Sequence, residues 1–438
     1  MSEIARALAV VIVASLGACT GSGSTVPAGA SGQSGGGNSG AQGAPPGPGG
    51  SGGGAGVGGG AGGGGNAGSA ALDGGVDGAS GGGGAAGIAG ASGGAAGAGG
   101  GGSAPIWMSL GVVPITAGST ADVVLPVLPP GGALVLRADA GADRCLQLVS
   151  WVIGGVDVLA NTAFGPFCDN CEERSQVAVG PSLFVLPTAS VSRAGPGSLR
   201  VGLRDCPTFG STTDAASVAL SVLVRPEIPV KGSLRLRPVR LGGSPFVASA
   251  SDLAPLLAAL SETFAPVGID LSSEPPCDAT TVSGDLAFVS GNHQSLGAAE
   301  SASHASCPPI LGTVPVLFGA CLQETSVTGQ TSELDGYTPH VVGGADGAVA
   351  DAMFIKGALC GTPTPVPVAW APAALARIVG HELGHYLGLF HSVEADGTVD
   401  LLPDTTSDNL MYYRPTVVVT PTFSPMQGAV MRRHPRVL

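Results

Sequence analysis

His381-Glu382-Leu383-Gly384-His385-Tyr386-Leu387-Gly388-Leu389-Phe390-His391 decides how the second half of this chain folds and what it can hold. On an α-helix, residues i and i+4 share a face, so His381 and His385 aim two imidazoles at one point. Glu382 sits one step round the helix, in reach of a water at that point without being a ligand itself. Gly388 lets the chain leave the helix through a left-handed residue. The turn that follows brings His391 back as a third nitrogen. Three protein ligands leave the fourth position of a tetrahedral zinc open to water.

The flanks agree with this reading. Pro372 opens a helix expected over 372–387, where its missing N–H costs nothing. Leu375, Ile378, Val379 and Leu383 form its buried stripe. Upstream, Lys231 to Leu241 alternates apolar Leu234, Leu236, Val239 and Leu241 with Arg235, Arg237 and Arg240, the pattern of a half-buried strand. Ser251 to Phe264 carries Leu253, Leu256, Leu257, Leu260 and Phe264 at helical spacing, with Ser251 or Asp252 as cap. Further strands are expected at 267–271, 285–289, 314–318 and 348–355, and a short helix close to the C-terminus, past Thr422.

Downstream of His391 runs an acidic loop with Glu394, Asp396, Asp400, Asp404 and Asp408. Two readings stand: a structural Ca2+ site built from Asp396, Asp400, Asp404 and Asp408, or a solvated loop, since no EF-hand spacing is present. Next comes Asn409-Leu410-Met411-Tyr412-Tyr413. The histidine stretch, the methionine 20 residues past His391 and Tyr413 two residues further together resemble the metzincin zinc metallopeptidases. Asp404-Thr405 before the methionine is most similar to the pappalysin branch. The resemblance covers about 210 residues, with strong motifs only in the last 60. It implies that His381, His385 and His391 ligate Zn2+, that Glu382 is the general base, that Met411 lies on a tight turn beneath the metal, and that Tyr413 stabilises the oxyanion. It also implies a protein or peptide substrate.

Residues 105–226 read differently. Short β-branched and leucine-rich runs at 121–126, 133–137, 146–153, 183–186, 199–203 and 216–224 are divided by turns such as Pro129-Pro130-Gly131-Gly132, which suggests a β-sandwich. An accessory module and a pro-segment are both compatible with it. As a pro-segment it would keep the site latent by placing a sulfur of Cys145 or Cys171 on the metal. Cysteines divide evenly. Cys145, Cys168, Cys171 and Cys206 precede the boundary, and Cys277, Cys307, Cys321 and Cys360 follow it. In an exported chain this predicts two disulfides per half, with Cys168-Asp-Asn-Cys171 a structural pair. His293, His304, His340 and His434 are isolated and read as surface or core histidines.

The N-terminus supplies an address. Residues 1–18 hold Arg6 and a short apolar run ending Leu16-Gly17-Ala18 before Cys19, similar to a bacterial lipobox in which Cys19 is lipidated. The other reading is an ordinary secretory signal. Thr20 after Cys19 points to an outer membrane. Much of the chain's glycine lies in residues 19–104, a Gly/Ser/Ala-rich stretch that cannot pack a core and reads as a disordered tether with a span of roughly 50 Å. A net charge of −13 with only 18 basic residues argues against nucleic acid as partner.

The expected architecture is therefore α+β: a signal segment (1–18), a lipid-anchored linker (19–104), an all-β sandwich-like region (105–226), and a metzincin-like catalytic region (228–438) with a twisted mixed sheet and a zinc helix. The expected activity is zinc-dependent endopeptidase action on extracytoplasmic proteins, at the outer membrane or cell surface of a Gram-negative bacterium, with the lipid anchor as the membrane contact. The competing class is a surface adhesion lipoprotein whose zinc site is vestigial.

Overall fold

In the strand Gly232–Gly242, Leu234 and Leu236 enter one core and Val239 and Leu241 another on the opposite face, and partners along both edges place the strand at the centre of a sheet. The computed structural model describes residues 107–159, 173–188, 194–206, 210–246, 249–344, 350–361, 366–368, 370–395, 397–419 and 421–438. Cys19, the tether, Cys168, Cys171 and Asp396 lie outside them. The central strand pairs in parallel with Ile269–Ser273 and Cys277–Ser283 along one edge and with Thr313–Gly319 along the other. Met353–Lys356 continues the sheet in parallel, and Gly336–Tyr337 closes its edge antiparallel.

A helix over Ala250–Phe264 connects the central strand to Ile269–Ser273. Its cap is Ser249 rather than Ser251 or Asp252. The Ser249 hydroxyl accepts from the Asp252 N–H, and the Asp252 carboxylate accepts from the Ser249 N–H at 3.0 Å, so both ends of the first turn are satisfied together. Leu253, Leu256, Leu260 and Phe264 from this helix share one core with Leu375, Ile378, Val379 and Leu383 of a second helix, Pro372–Tyr386. That second helix carries the histidine motif. A last helix, Pro425–Arg432, has a capping box between Ser424 and Gln427.

The described residues between 107 and 225 form a separate antiparallel sheet around their own core. Strands far apart in the sheet order, Ala133–Asp139 and Cys145–Ile153, both contribute to that core through Leu134, Leu136, Leu146 and Leu148. The sheet therefore folds over on itself, sandwich-like. Each expected strand of this region is present, at Val123–Leu128, Ala133–Asp139, Cys145–Ile153, Ser182–Leu186, Gly195–Arg204 and Ala216–Arg225. The strand Trp107–Thr116 was not expected.

Three disulfides join described residues: Cys145–Cys206, Cys277–Cys307 and Cys321–Cys360. Bonds of this kind belong to an oxidising, extracytoplasmic compartment. Among the described residues no helix is long and apolar enough to cross a membrane.

Candidate metal centre

The helix Pro372–Tyr386 ends in a turn that its sequence dictates. Gly388 has φ +103°, and the Leu389 N–H reaches back to the Gly384 carbonyl while the Gly388 N–H bonds that of His385, each at 2.9 Å. This is the Schellman pattern, in which a glycine carries the left-handed residue. The turn returns His391 to the two helical histidines. Nε2 of His385 lies 3.1 Å from Nε2 of His381 and 3.2 Å from Nε2 of His391.

The opposite ring nitrogens assign the tautomers. Nδ1 of His381 donates to the Leu410 carbonyl at 2.7 Å, and Nδ1 of His385 donates to the Leu389 carbonyl at 2.8 Å. Nδ1 of His391 donates to Oε2 of Glu394 at 2.6 Å. With the proton on Nδ1, each Nε2 is a bare lone pair. Burial, reinforced by the neighbouring His391, pushes the His381 imidazole down to about 3. Burial followed by the charges of His381 and His391 holds His385 well below its usual value. Neutral rings are the form that binds metal.

Three lone pairs converging without a proton between them repel one another unless a cation sits among them. A tetrahedral ion with bonds of about 2.0–2.1 Å spaces its nitrogens roughly 3.3–3.4 Å apart, close to the separations observed. The donor set thus fits a divalent metal. Among the described residues, His381, His385 and His391 are the group of three or more ligating side chains able to hold an ion.

Glu382 is wholly buried beside the cluster. The Thr338 hydroxyl lies 2.8 Å from its Oε2 and 3.0 Å from its carbonyl oxygen, fixing the carboxylate against the helix. Thr338 follows directly on the edge strand Gly336–Tyr337, which passes so close that a Cβ on Gly336 would meet the Glu382 Cγ at 2.7 Å. No sequence signal marks Thr338, because its partner is 44 residues away.

Met411 lies beneath the helix, fully buried, with its sulfur where a Cβ on Gly384 would fall at 2.4 Å. Its N–H donates to Oδ1 of Asn409 at 2.8 Å. Asn409 in turn exchanges two amide hydrogen bonds with Gln427 of the last helix, at 2.9 and 3.0 Å. The Met411 turn is thereby tied to the C-terminal helix, a link the sequence does not announce.

The remaining expected residues are not part of the histidine triad, although the Tyr413 N–H bonds the Val393 carbonyl two residues past His391. Tyr413 is half-buried, its ring against Tyr412 and beneath the Arg414 guanidinium, and no hydrogen bond or ring contact joins it to the histidines. Asp400 accepts from the Leu402 N–H and the Thr405 hydroxyl, and burial raises its carboxyl to about 6. Asp404 accepts from the Ser424 hydroxyl and the Met426 N–H, acting at the start of the last helix. Asp408 is exposed. Asp400, Asp404 and Asp408 are not gathered into one cation site among the described residues. Cys145 is committed to Cys206 and so offers no sulfur to the metal position. His293, His340 and His434 are buried, with His293 bonded to the Tyr337 hydroxyl and His434 to the Gly343 carbonyl, and His304 is exposed.

No protein-family model and no curated protein matches the chain. Among solved structures, an acetyl xylan esterase from the rumen bacterium Butyrivibrio proteoclasticus is similar at 10% identity, covering 53% of this chain and 70% of that one, with a TM-score of 0.15. A family two carbohydrate esterase from Cellvibrio japonicus is similar at 8% identity over 50% of this chain and 77% of its own, with a TM-score of 0.13. Superpositions this poor carry neither fold nor function to this chain.

Proposed function

We propose that this protein is a zinc-dependent endopeptidase of the metzincin type acting outside the cytoplasm. The observation that supports this best is the pairing of three converging, Nδ1-protonated histidines with a buried glutamate that is not a ligand. Zinc bound there would supply a Lewis acid that polarises the scissile carbonyl and acidifies a water. Glu382 takes the proton of the attacking water and delivers it to the leaving amine. Thr338 keeps the Glu382 carboxylate aimed during both transfers. The Leu410 carbonyl holds the His381 ring, and Met411 packs under the helix at Gly384. Tyr413 would stabilise the oxyanion by hydrogen bonding. Cys19, if lipidated, and the glycine-rich segment would hold the catalytic region outside the cell membrane.

The test is cleavage of a casein-like substrate by the metal-loaded protein. Glu382→Ala should lower the rate by about 10²–10⁴-fold while leaving metal content unchanged. A chelator should abolish cleavage and added zinc restore it. Cleavage that survives Glu382→Ala sinks the mechanism. No cleavage by wild-type protein with stoichiometric zinc favours the adhesion lipoprotein.

A further inference from the structure

We propose that Arg174, carried by the β region, is a positioning residue for His391 and acts through Glu394. The proposal rests on reading the three histidines as a metal site.

The three histidines are not equally supported. His381 and His385 project from one helix, and each donates to a backbone carbonyl of the catalytic region. His391 stands on the loop beyond Gly388, and its Nδ1–H goes to a side chain, the Glu394 carboxylate, at 2.6 Å. That carboxylate needs its own support. Its side chain is 7% exposed, and a buried anion without a partner is costly. The partner is Arg174, 4% exposed and 3.1 Å from Oε1, from a point 220 residues upstream.

Arg174 also grips the other side of the ligand. Its guanidinium carbon lies 4.3 Å from the centroid of the Phe390 ring, the residue before His391. One side chain therefore touches both Phe390 and Glu394, which bracket His391. The segment bearing it is itself pinned: the Arg174 N–H donates to the Thr188 hydroxyl, and the neighbouring Glu173 carboxylate accepts from the Thr188 hydroxyl at 2.7 Å. A planar guanidinium can pair with a carboxylate and lie over a ring at once, which a lysine ammonium cannot reproduce. The arrangement is a carboxylate–histidine pair of the kind that orients metal ligands, with a cation behind it. Here that cation comes from a different folded region.

The test uses the full chain loaded with cobalt(II), reading the visible absorption spectrum and the rate of metal release to a chelator. Arg174→Gln and Glu394→Gln should each speed release by roughly 10–100-fold and alter the cobalt spectrum. The double variant should lose less than the two single losses combined, because Arg174 acts largely through Glu394. Arg174→Lys should recover part of the loss, and it keeps the test alive if the glutamine variant fails to fold. Arg225→Gln is the control. Arg225 also bridges the two regions, donating to the carbonyls of Arg432, His434 and Val437, but does not reach the histidines. It should leave the spectrum and the release rate as in wild type. A wild-type spectrum and release rate in a folded Arg174 variant would overturn the proposal, as would equal losses from Arg225→Gln. Wild-type protein that takes up no cobalt would instead overturn the metal-site reading itself.

Discussion

Gly384 and Met411 meet at the floor of the histidine cluster, and their contact fixes how close the helix lies to the turn beneath it. A Cβ on Gly384 would stand 2.4 Å from the sulfur and 3.3 Å from the Phe423 ring. Two effects of Gly384→Ala oppose each other. Alanine favours the helix by about 0.8–1.0 kcal/mol. Overpacking costs about 1–3 kcal/mol, and Met411 is fully buried. The net change in stability should lie between zero and about 2 kcal/mol of loss. Metal affinity should fall more visibly, by roughly tenfold, because Gly384 lies between His381 and His385 on their helix. Competition with a chelator measures this, and unchanged affinity would mean the Met411 turn is mere packing. At this scale the site was half legible. The three histidines, Glu382 and Met411 lie within 31 consecutive residues; helical geometry relates His381, Glu382 and His385, and the turn at Gly388 brings in His391. Thr338 and Arg174 reach the same cluster from 44 and 220 residues away, and no local pattern encodes such partners.

Elements were legible where apolar spacing is regular. Pro372–Tyr386 and the strand Gly232–Gly242 fall within a residue or so of their expected limits. Trp107–Thr116 escaped notice because Gly111 and Pro114 interrupt it, a bulge shifts its register there, and both Trp107 and Met108 remain exposed. The helix Gln294–Ser303 was also missed, since its run of small residues leaves only Leu296 as a large buried anchor. That helix holds Glu300, a buried carboxyl. Burial, opposed by the N–H groups of Asp351 and Ala352, raises it from 4.5 to about 7. Folding thus favours the protonated form. The stabilisation is complete below about pH 4.5 and drains away as the pH climbs through about 7. Glu300→Gln keeps the shape without the charge. It should be more stable than wild type at pH 8 by about 3 kcal/mol, with the advantage vanishing near pH 4. Denaturant unfolding at the two pH values checks this, and a pH-independent difference would refute it.

On the scale of the whole molecule, composition suggests a boundary between residues 105–226 and 228–438, yet it says nothing about contacts across it. The structure shows those contacts in detail. Arg225 donates to three carbonyls near the C-terminus, at 2.7 to 3.2 Å, and Arg433 donates to the Pro187 carbonyl. Val342 of the C-terminal region is buried in a cluster with Val135, Leu183, Val185 and Leu223 of the β region. The chain end is held as well, since Leu438 exchanges backbone hydrogen bonds with Ser233 of the central strand. Deleting residues 105–226 would expose Val342, free those carbonyls to water and leave the Glu394 carboxylate without Arg174. The carbonyls can be rehydrated at little cost. The apolar burial around Val342 is not replaced by water, and the Glu394 carboxylate loses its ion pair. A fragment of residues 228–438 should therefore melt well below the intact protein, while the intact protein unfolds in one transition. Calorimetry distinguishes the outcomes. Two independent transitions, or a fragment as stable as the whole, would show that the β region is a detachable neighbour. A single transition would make it part of the scaffold on which the third histidine stands.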